Sequence, residues 1–208
     1  MTTYEKKDIY GMSSASHFLL RERNDTMKIH LIRHGQVNHN LYEIYSNVDE
    51  DLNETGIRQA LTLKERIRDI HYDIIYSSPL IRAKHTAEII NSAHKQILTD
   101  DRLTERNPGN LSGQPLKVTN RDEYWNYYSK IHYGTSERIV SFFDKVFGFI
   151  DYLKSTSYST VLIVGHSGVS KAFYAYFNGI PADCRLFNKG LKNCEIKEYS
   201  LWQVRRMY

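Results

Sequence analysis

The chain has 208 residues, of which 41% are hydrophobic and 25% charged. That balance excludes a mainly disordered chain, and at roughly 150 residues per domain the length predicts one folded domain with a sizeable core. The net charge of +4 comes from lysines and arginines scattered along the chain, without the basic block of a nucleic-acid-binding arm. It is compatible with an anionic substrate, and equally with a slightly basic solvated surface.

Residues 1–26 are polar and without periodicity, so they read as an N-terminal extension: a leader, a lid or a packed arm. Their longest apolar stretch, His17-Phe18-Leu19-Leu20, is far shorter than the core of a signal peptide. No run in the chain approaches the ~20 apolar residues of a membrane-spanning helix. Two cysteines, Cys184 and Cys194, form no close pair of the kind that binds zinc or exchanges disulfides. Together these features predict a soluble protein of the reducing cytoplasm.

A strand is predicted over residues 28–32, running into Arg33-His34-Gly35. Thr55 then opens a helix whose apolar positions Ile57, Ala60, Leu61, Ile67 and Ile70 keep helical spacing. A short strand over residues 73–76 follows, and Pro79 suits the first turn of the next helix, which puts Arg82 near a helix N-terminus. Residues 120–133 carry Tyr124, Trp125, Tyr127, Tyr128 and Tyr133, able to stack a ring of a ligand or to pack on the core. The clearest helix spans residues 136–154, with Ile139, Phe142, Phe143, Val146, Phe147, Ile150 and Leu153 as its core stripe. The continuous apolar run of residues 160–164 reads as a central strand covered on both faces, and it ends in Gly165-His166-Ser167-Gly168. Alternating strands and helices predict an α/β fold, three layers with a mostly parallel central sheet. In such a sheet ligands bind outside the carboxyl ends of the strands, so both imidazoles can share one pocket.

Arg33-His34-Gly35, Ser78-Pro79-Leu80-Ile81-Arg82-Ala83, Leu103-Thr104-Glu105-Arg106 with Gly109 and Gly113, and Gly165-His166-Ser167-Gly168 occur in that order. The ordered set resembles the histidine phosphatase superfamily, the phosphoglycerate mutase-like proteins, from about Met27 to about Glu198. The resemblance implies a domain over residues 27–208 with a small cap-like insertion around residues 114–135. It implies a metal-independent phosphomonoester hydrolase acting on a small phosphorylated metabolite, with no cofactor. His34 would be phosphorylated in turnover, Arg33 and Arg82 would clamp the phosphoryl group, and His166 would serve as a charged or donating partner. Glu105 would protonate the leaving group, and Asn40 and the Ser167 amide would add phosphate contacts. Partners other than the substrate, whether nucleic acid or membrane, are not expected, and a homodimer stays open.

The residue types suit phosphoryl transfer, whose charge spreads over three oxygens and is met best by positioned cations and donors. A rival reading takes Gly165-His166-Ser167-Gly168-Val169 as an esterase-like nucleophile elbow, with Val169 where the second glycine belongs. Another takes the fold as a non-catalytic phosphate-binding module. A metal site from His30 and His34 lacks an accompanying carboxylate motif, and Glu105 alone could be an ion-pair partner of Arg102 or Arg106. The alternative within the family is a mutase-type phosphotransferase. Against it stand Pro108 where mutases have tyrosine, Ser46-Asn47 where they have a small residue and glycine, and a lone Arg121 in place of an arginine pair.

Overall fold

Three runs of aliphatic residues build the centre of the sheet, and their neighbours decide its edges. The computed structural model describes residues 23–45 and 50–205. In chain order the elements are β1 (Arg23–Arg33), α1 (Asn38–Leu41), α2 (Glu54–Arg66), β2 (Ile74–Ser77), α3 (Ile81–Ile90), β3 (Ile97–Thr99), α4 (Arg121–Tyr124), α5 (Ile139–Leu153), β4 (Thr160–Gly165), α6 (Ser167–Asn178) and β5 (Ile196–Arg205). Among the described residues one five-stranded sheet has the order β3-β2-β4-β1-β5. Its first four strands pair in parallel, and β5 closes the β1 edge antiparallel. The fold is the expected mixed α/β with a mostly parallel sheet.

Successive strand side chains point to opposite faces, so an unbroken apolar strand feeds two cores. Ile29, Leu31, Ile74, Tyr76, Val161 and Ile163 join the core under α5 and α6. Their neighbours Ile32, Ile75, Leu162 and Val164 join Ala60 and Leu63 of α2 and Ala83, Ala87 and Ile90 of α3 on the other side. That is the three-layer arrangement.

Several sequence expectations shift. β1 begins at Arg23 and pairs Arg23 with Arg205, so the boundary placed at residue 26 falls inside a strand. Residues 1–22, with the lid or arm assigned to them, lie outside the described residues, as do Ser46 and Asn47. Leu61, taken as core, is 49% exposed, and Leu63 is buried in its place. On α5, which begins at Ile139 and not at residue 136, Phe149 is fully buried while Phe147 is only partly so. Pro79 precedes the N-cap Leu80 of α3, which fixes the chain's entry and leaves Arg82 as the second helical residue. Asp73 lies just before β2, its carboxylate accepting from the Ser159 and Thr160 amides at the start of β4.

The loop after β1 is stitched to the start of α2. The Gln36 amide donates to Gln59 Oε1 at 2.9 Å, the Asn53 amide donates to the Gln36 carbonyl at 3.1 Å, and Asn53 caps the helix by accepting from the Gly56 amide at 2.9 Å. Gly35 and Gly56 touch backbone to backbone, so a Cβ on Gly56 would overlap the Gln36 carbonyl oxygen. Backbone cannot swing aside as a side-chain end can. Gly56→Ala is therefore expected to cost roughly 1–3 kcal/mol, the usual scale of overpacking. Denaturant unfolding reads this, and an unchanged midpoint would refute the close contact.

Candidate active site

The site grows from strand register. Arg33 is the parallel partner of Gly165, and the His34 amide donates to the Gly165 carbonyl at 3.0 Å, so the residues just past both strand ends lie side by side. His34 and His166 consequently face each other with ring centroids 5.0 Å apart. One strand over, Ser77 pairs with Val164, and the next residue, Ser78, places its Oγ 2.8 Å from His166 Nε2. Helices α3 and α6 start directly beyond β2 and β4. His166 is the N-cap of α6, and Arg82 lies in the first turn of α3. Helix N-termini carry partial positive charge and unsatisfied amides, so this corner of the fold favours an anion.

His34 is buried, and its Nδ1 lies 2.6 Å from the Gly35 carbonyl. A carbonyl only accepts, so Nδ1 carries the proton and Nε2 keeps its lone pair. Burial first, and then the Arg33 and Arg82 guanidinium groups, hold the His34 pKa well below the usual histidine range. Burial does the same to His166, with Arg82 and His34 adding to it. The charged form considered for His166 is thus disfavoured in the protein alone, because nothing offsets the desolvation of a second buried cation. A donor role survives: among the described residues its buried Nδ1 has no hydrogen-bond partner.

Arg82 is 2% exposed, and its carbonyl accepts from Thr86 Oγ1, which in turn accepts from the Gly35 amide. α3 and the first motif are thereby tied together. Arg33 donates to the Leu191 carbonyl at 2.9 Å. Glu105 makes neither of the ion pairs weighed for it. Arg102 pairs with Asp100 at 2.6 Å, and Arg106 donates to the Glu137 and Tyr124 carbonyls. The carboxylate instead accepts one backbone amide on each oxygen: Arg106 on Oε1 and Gly168, in the first turn of α6, on Oε2, both at 2.9 Å.

A cavity of about 300 Å³ brings Arg33, His34, Asn40, Arg82, Glu105 and Ser167 to one wall system. Leu116, Arg121, Tyr124 and Trp125, from residues 114–135, line the same space. Asn40 Oδ1 accepts from Asn193 Nδ2 at 3.1 Å, and Asn193 also donates to the His34 carbonyl. Ser167 Oγ meets Lys171 Nζ at 2.7 Å. Among the described residues no histidine bonds Ser167 Oγ, so the base that the esterase-like reading needs for its serine is not in place. Sequence reasoning missed Ser78, Asn193 and Lys171. Only Lys171 left a local signal, four residues after Ser167 on an otherwise apolar helix.

The model of the histidine phosphatase superfamily (branch 1) matches residues 29–206. The chain is similar to the uncharacterized phosphatase PhoE of Bacillus subtilis, 34% identical over 181 residues, which cover 84% of this chain and 91% of that one. It is similar to phosphoserine phosphatase 1 of Hydrogenobacter thermophilus, 28% identical over 163 residues, covering 74% and 77%. Among solved structures, mycobacterial hydrolase 1 superposes with a TM-score of 0.75 at 21% identity, covering 86% of this chain and 97% of that one.

The two suppressed imidazoles make stability depend on pH. Unfolded, each histidine titrates near its ordinary value of about 6.5; folded, each titrates well below it. As pH falls through about 6.5 the unfolded chain binds protons that the folded one refuses. Stability is full above that value and is lost below it, at up to ~1.4 kcal/mol per pH unit for each histidine. Thermal unfolding between pH 7.5 and 5.5 is expected to show this fall, and the His34→Asn, His166→Asn double variant a flatter one. Equal slopes would mean the imidazoles are not held neutral.

Proposed function

Because this chain belongs to the histidine phosphatase superfamily, we propose that it is a metal-independent phosphomonoester hydrolase, of the acid-phosphatase type, working through a phosphohistidine on His34. The observation that carries the reading is a single one: the His34 ring is proton-locked at Nδ1, held neutral, and set near the buried Arg82 and the half-buried Arg33 in a cavity that also holds a carboxylate. A neutral imidazole with a free Nε2 is a nucleophile, and the arginines sit where the phosphoryl charge would be.

In the first step the Nε2 lone pair forms the N–P bond while the bond from phosphorus to the leaving oxygen breaks, and Glu105, as the acid, gives its proton to that oxygen. In the second, water loses a proton to the Glu105 carboxylate and its oxygen bonds phosphorus as the N–P bond breaks. Orthophosphate leaves and His34 regains its lone pair. The two amides on Glu105 orient the carboxyl group and leave further lone pairs on each oxygen to take the proton. Arg33 and Arg82 meet the equatorial oxygens, each charge-assisted bond contributing roughly 1.5–3 kcal/mol. His166 Nδ1 and the amides at the start of α6 add donors, and Asn40 orients the first loop through Asn193. The guanidinium groups and helix ends supply the positive field that a metal supplies elsewhere.

Hydrolysis is favoured over transfer by the relatives named as phosphatases. Incubation with 3-phosphoglycerate separates the two: glycerate and phosphate support the hydrolase, whereas 2-phosphoglycerate supports a mutase. The two free cysteines suit the reducing cytoplasm, and among the described residues no helix is long and apolar enough to cross a membrane. The substrate is proposed to be a small phosphorylated metabolite; a homodimer is compatible with this reading.

Rapid quench with radiolabelled phosphomonoester is expected to trap an acid-labile, alkali-stable phosphoenzyme that His34→Ala abolishes. An acid-stable adduct, or one surviving in His34→Ala, would overturn the mechanism. Gly168→Ala tests the acid while keeping its carboxyl group in the chain, because a Cβ there would overlap Glu105 Oε1 and displace it. That variant is expected to lose 10²–10⁴-fold in kcat/KM, on the order of a general acid's contribution, with its circular dichroism spectrum retained. The loss should shrink for p-nitrophenyl phosphate, whose leaving group needs no proton.

A further inference from the structure

Charge is unevenly balanced inside the cavity. Arg33, Arg82, Arg106, Arg121 and Lys171 all line it, against Glu105 as the one carboxylate among its lining residues. Arg33 and Arg82 are taken by the phosphoryl group in the reading above. Arg121 pairs with Glu43 at 3.1 Å, and Arg106 is spent on two carbonyls and the face of Tyr124, 3.9 Å away. Lys171 is different. It is 3% exposed, its Nζ lies 4.4 Å from the Trp125 ring centre, and among the described residues no carboxylate comes within 4 Å of it. An ammonium offers three N–H groups, and its two hydrogen bonds both go to Ser167, to Oγ at 2.7 Å and to the carbonyl at 3.4 Å.

We infer that Lys171 is a specificity-determining residue that pairs with a second anionic group carried by the leaving alcohol of the substrate. The inference rests on the hydrolase reading, and it names the substrate class: phosphomonoesters of small alcohols bearing their own carboxylate or second phosphate. A buried, unpaired cation is costly, and an apolar side chain of similar length would fill the same space more favourably. An arriving anion supplies the missing counter-charge, while Trp125, Tyr124 and Leu116 line the rest of the space around it. Burial pulls the Lys171 pKa down to about 7, against the raising influence of Glu105 and with the lowering influence of Arg33. Its charge is thus present below about pH 7 and fades above, and a bound anion restores it.

Two matched pairs of esters test this. O-phosphoserine and O-phosphoethanolamine differ by one carboxylate; 1,3-propanediol bisphosphate and 3-hydroxypropyl phosphate differ by one phosphate. At pH 6.5 the protein is expected to prefer the anionic member of one pair by about tenfold or more in kcat/KM, mainly through KM, the scale of one charge-assisted hydrogen bond. Which pair shows the preference identifies the anion. Lys171→Met should lose at least about tenfold more on the anionic member than on its partner. The preference of the unsubstituted protein should shrink between pH 6.5 and 8.5, and Lys171→Arg should hold it across that range. Equal losses on both members in Lys171→Met, or no preference in either pair, overturn the inference. Phosphoenzyme formation from p-nitrophenyl phosphate is measured alongside, so a failure of the His34 mechanism is seen separately.

Discussion

Parallel hydrogen bonding between β1 and β4 sets Arg33 opposite Gly165, and the placement of each reacting group follows from it. A slip of one residue would turn Ile29 and Leu31 out of one core and Ile32 out of the other, while carrying His34 away from His166. Because β4 is apolar on both faces and β1 gives Ile29 and Leu31 to one core and Ile32 to the other, such a slip costs two cores at once. The distance between the imidazoles is therefore as well defined as the hydrophobic packing beneath them. Parallel strands also need long crossovers, and here the crossovers bring α3 and α6 to start at the same corner. The sheet fixes where the rings are; the helices that follow it add the donors and Arg82.

The same burial that fixes the geometry sets the protonation. A histidine 3% exposed beside two guanidinium groups cannot take a proton cheaply, so it keeps the lone pair that the proposed attack uses without needing a base to free it. Its lost solvation is the reason, and the arginines reinforce it. Those arginines are tolerated because their carbonyl partners and neighbouring loops hold them in place: Arg33 is anchored on Leu191, while the Arg82 backbone is tied through Thr86 to Gly35. A site of this kind is assembled at a cost to stability, the pattern expected where buried polar groups serve chemistry and not cohesion.

Much of this was legible in the chain. The run at residues 160–164 announced a central strand because a strand buried on both faces is apolar without alternation, and residues 28–32 announced another by running straight into Arg33-His34-Gly35. Their terminal motifs named His34, Arg33 and His166, and the segments between supplied Arg82 and Glu105. What stayed hidden had physical reasons. β5 mixes signals: Gln203 is fully buried, bonded to the Thr156 carbonyl at 2.7 Å, while Trp202 is 67% exposed. Hydrophobicity alone reads that alternation backwards. Leu61 and Leu63 are separated only by which side of α2 meets the sheet, a fact of tertiary packing. Ser78 was quoted within a motif, yet its bond to His166 depends on two strands that are distant in sequence.

Lys171 left a local signal but was passed over for a related reason, since a lysine on a helix is ordinarily a solvated residue. Its burial follows from Trp125 and Gly190, which come from segments far apart in the chain, and Gly190 leaves the room that Ser167 Oγ and Lys171 Nζ occupy. The natural partner for this cation would be Glu105, the nearby carboxylate that raises its pKa. Glu105, however, is already met by the amides of Arg106 and Gly168. These two backbone amides, that of Gly168 in the first turn of α6, offset the carboxylate without closing an ion pair across the cavity. Glu105 keeps its place, the cavity stays open between the two groups, and the ammonium is left without a carboxylate partner until an anion enters.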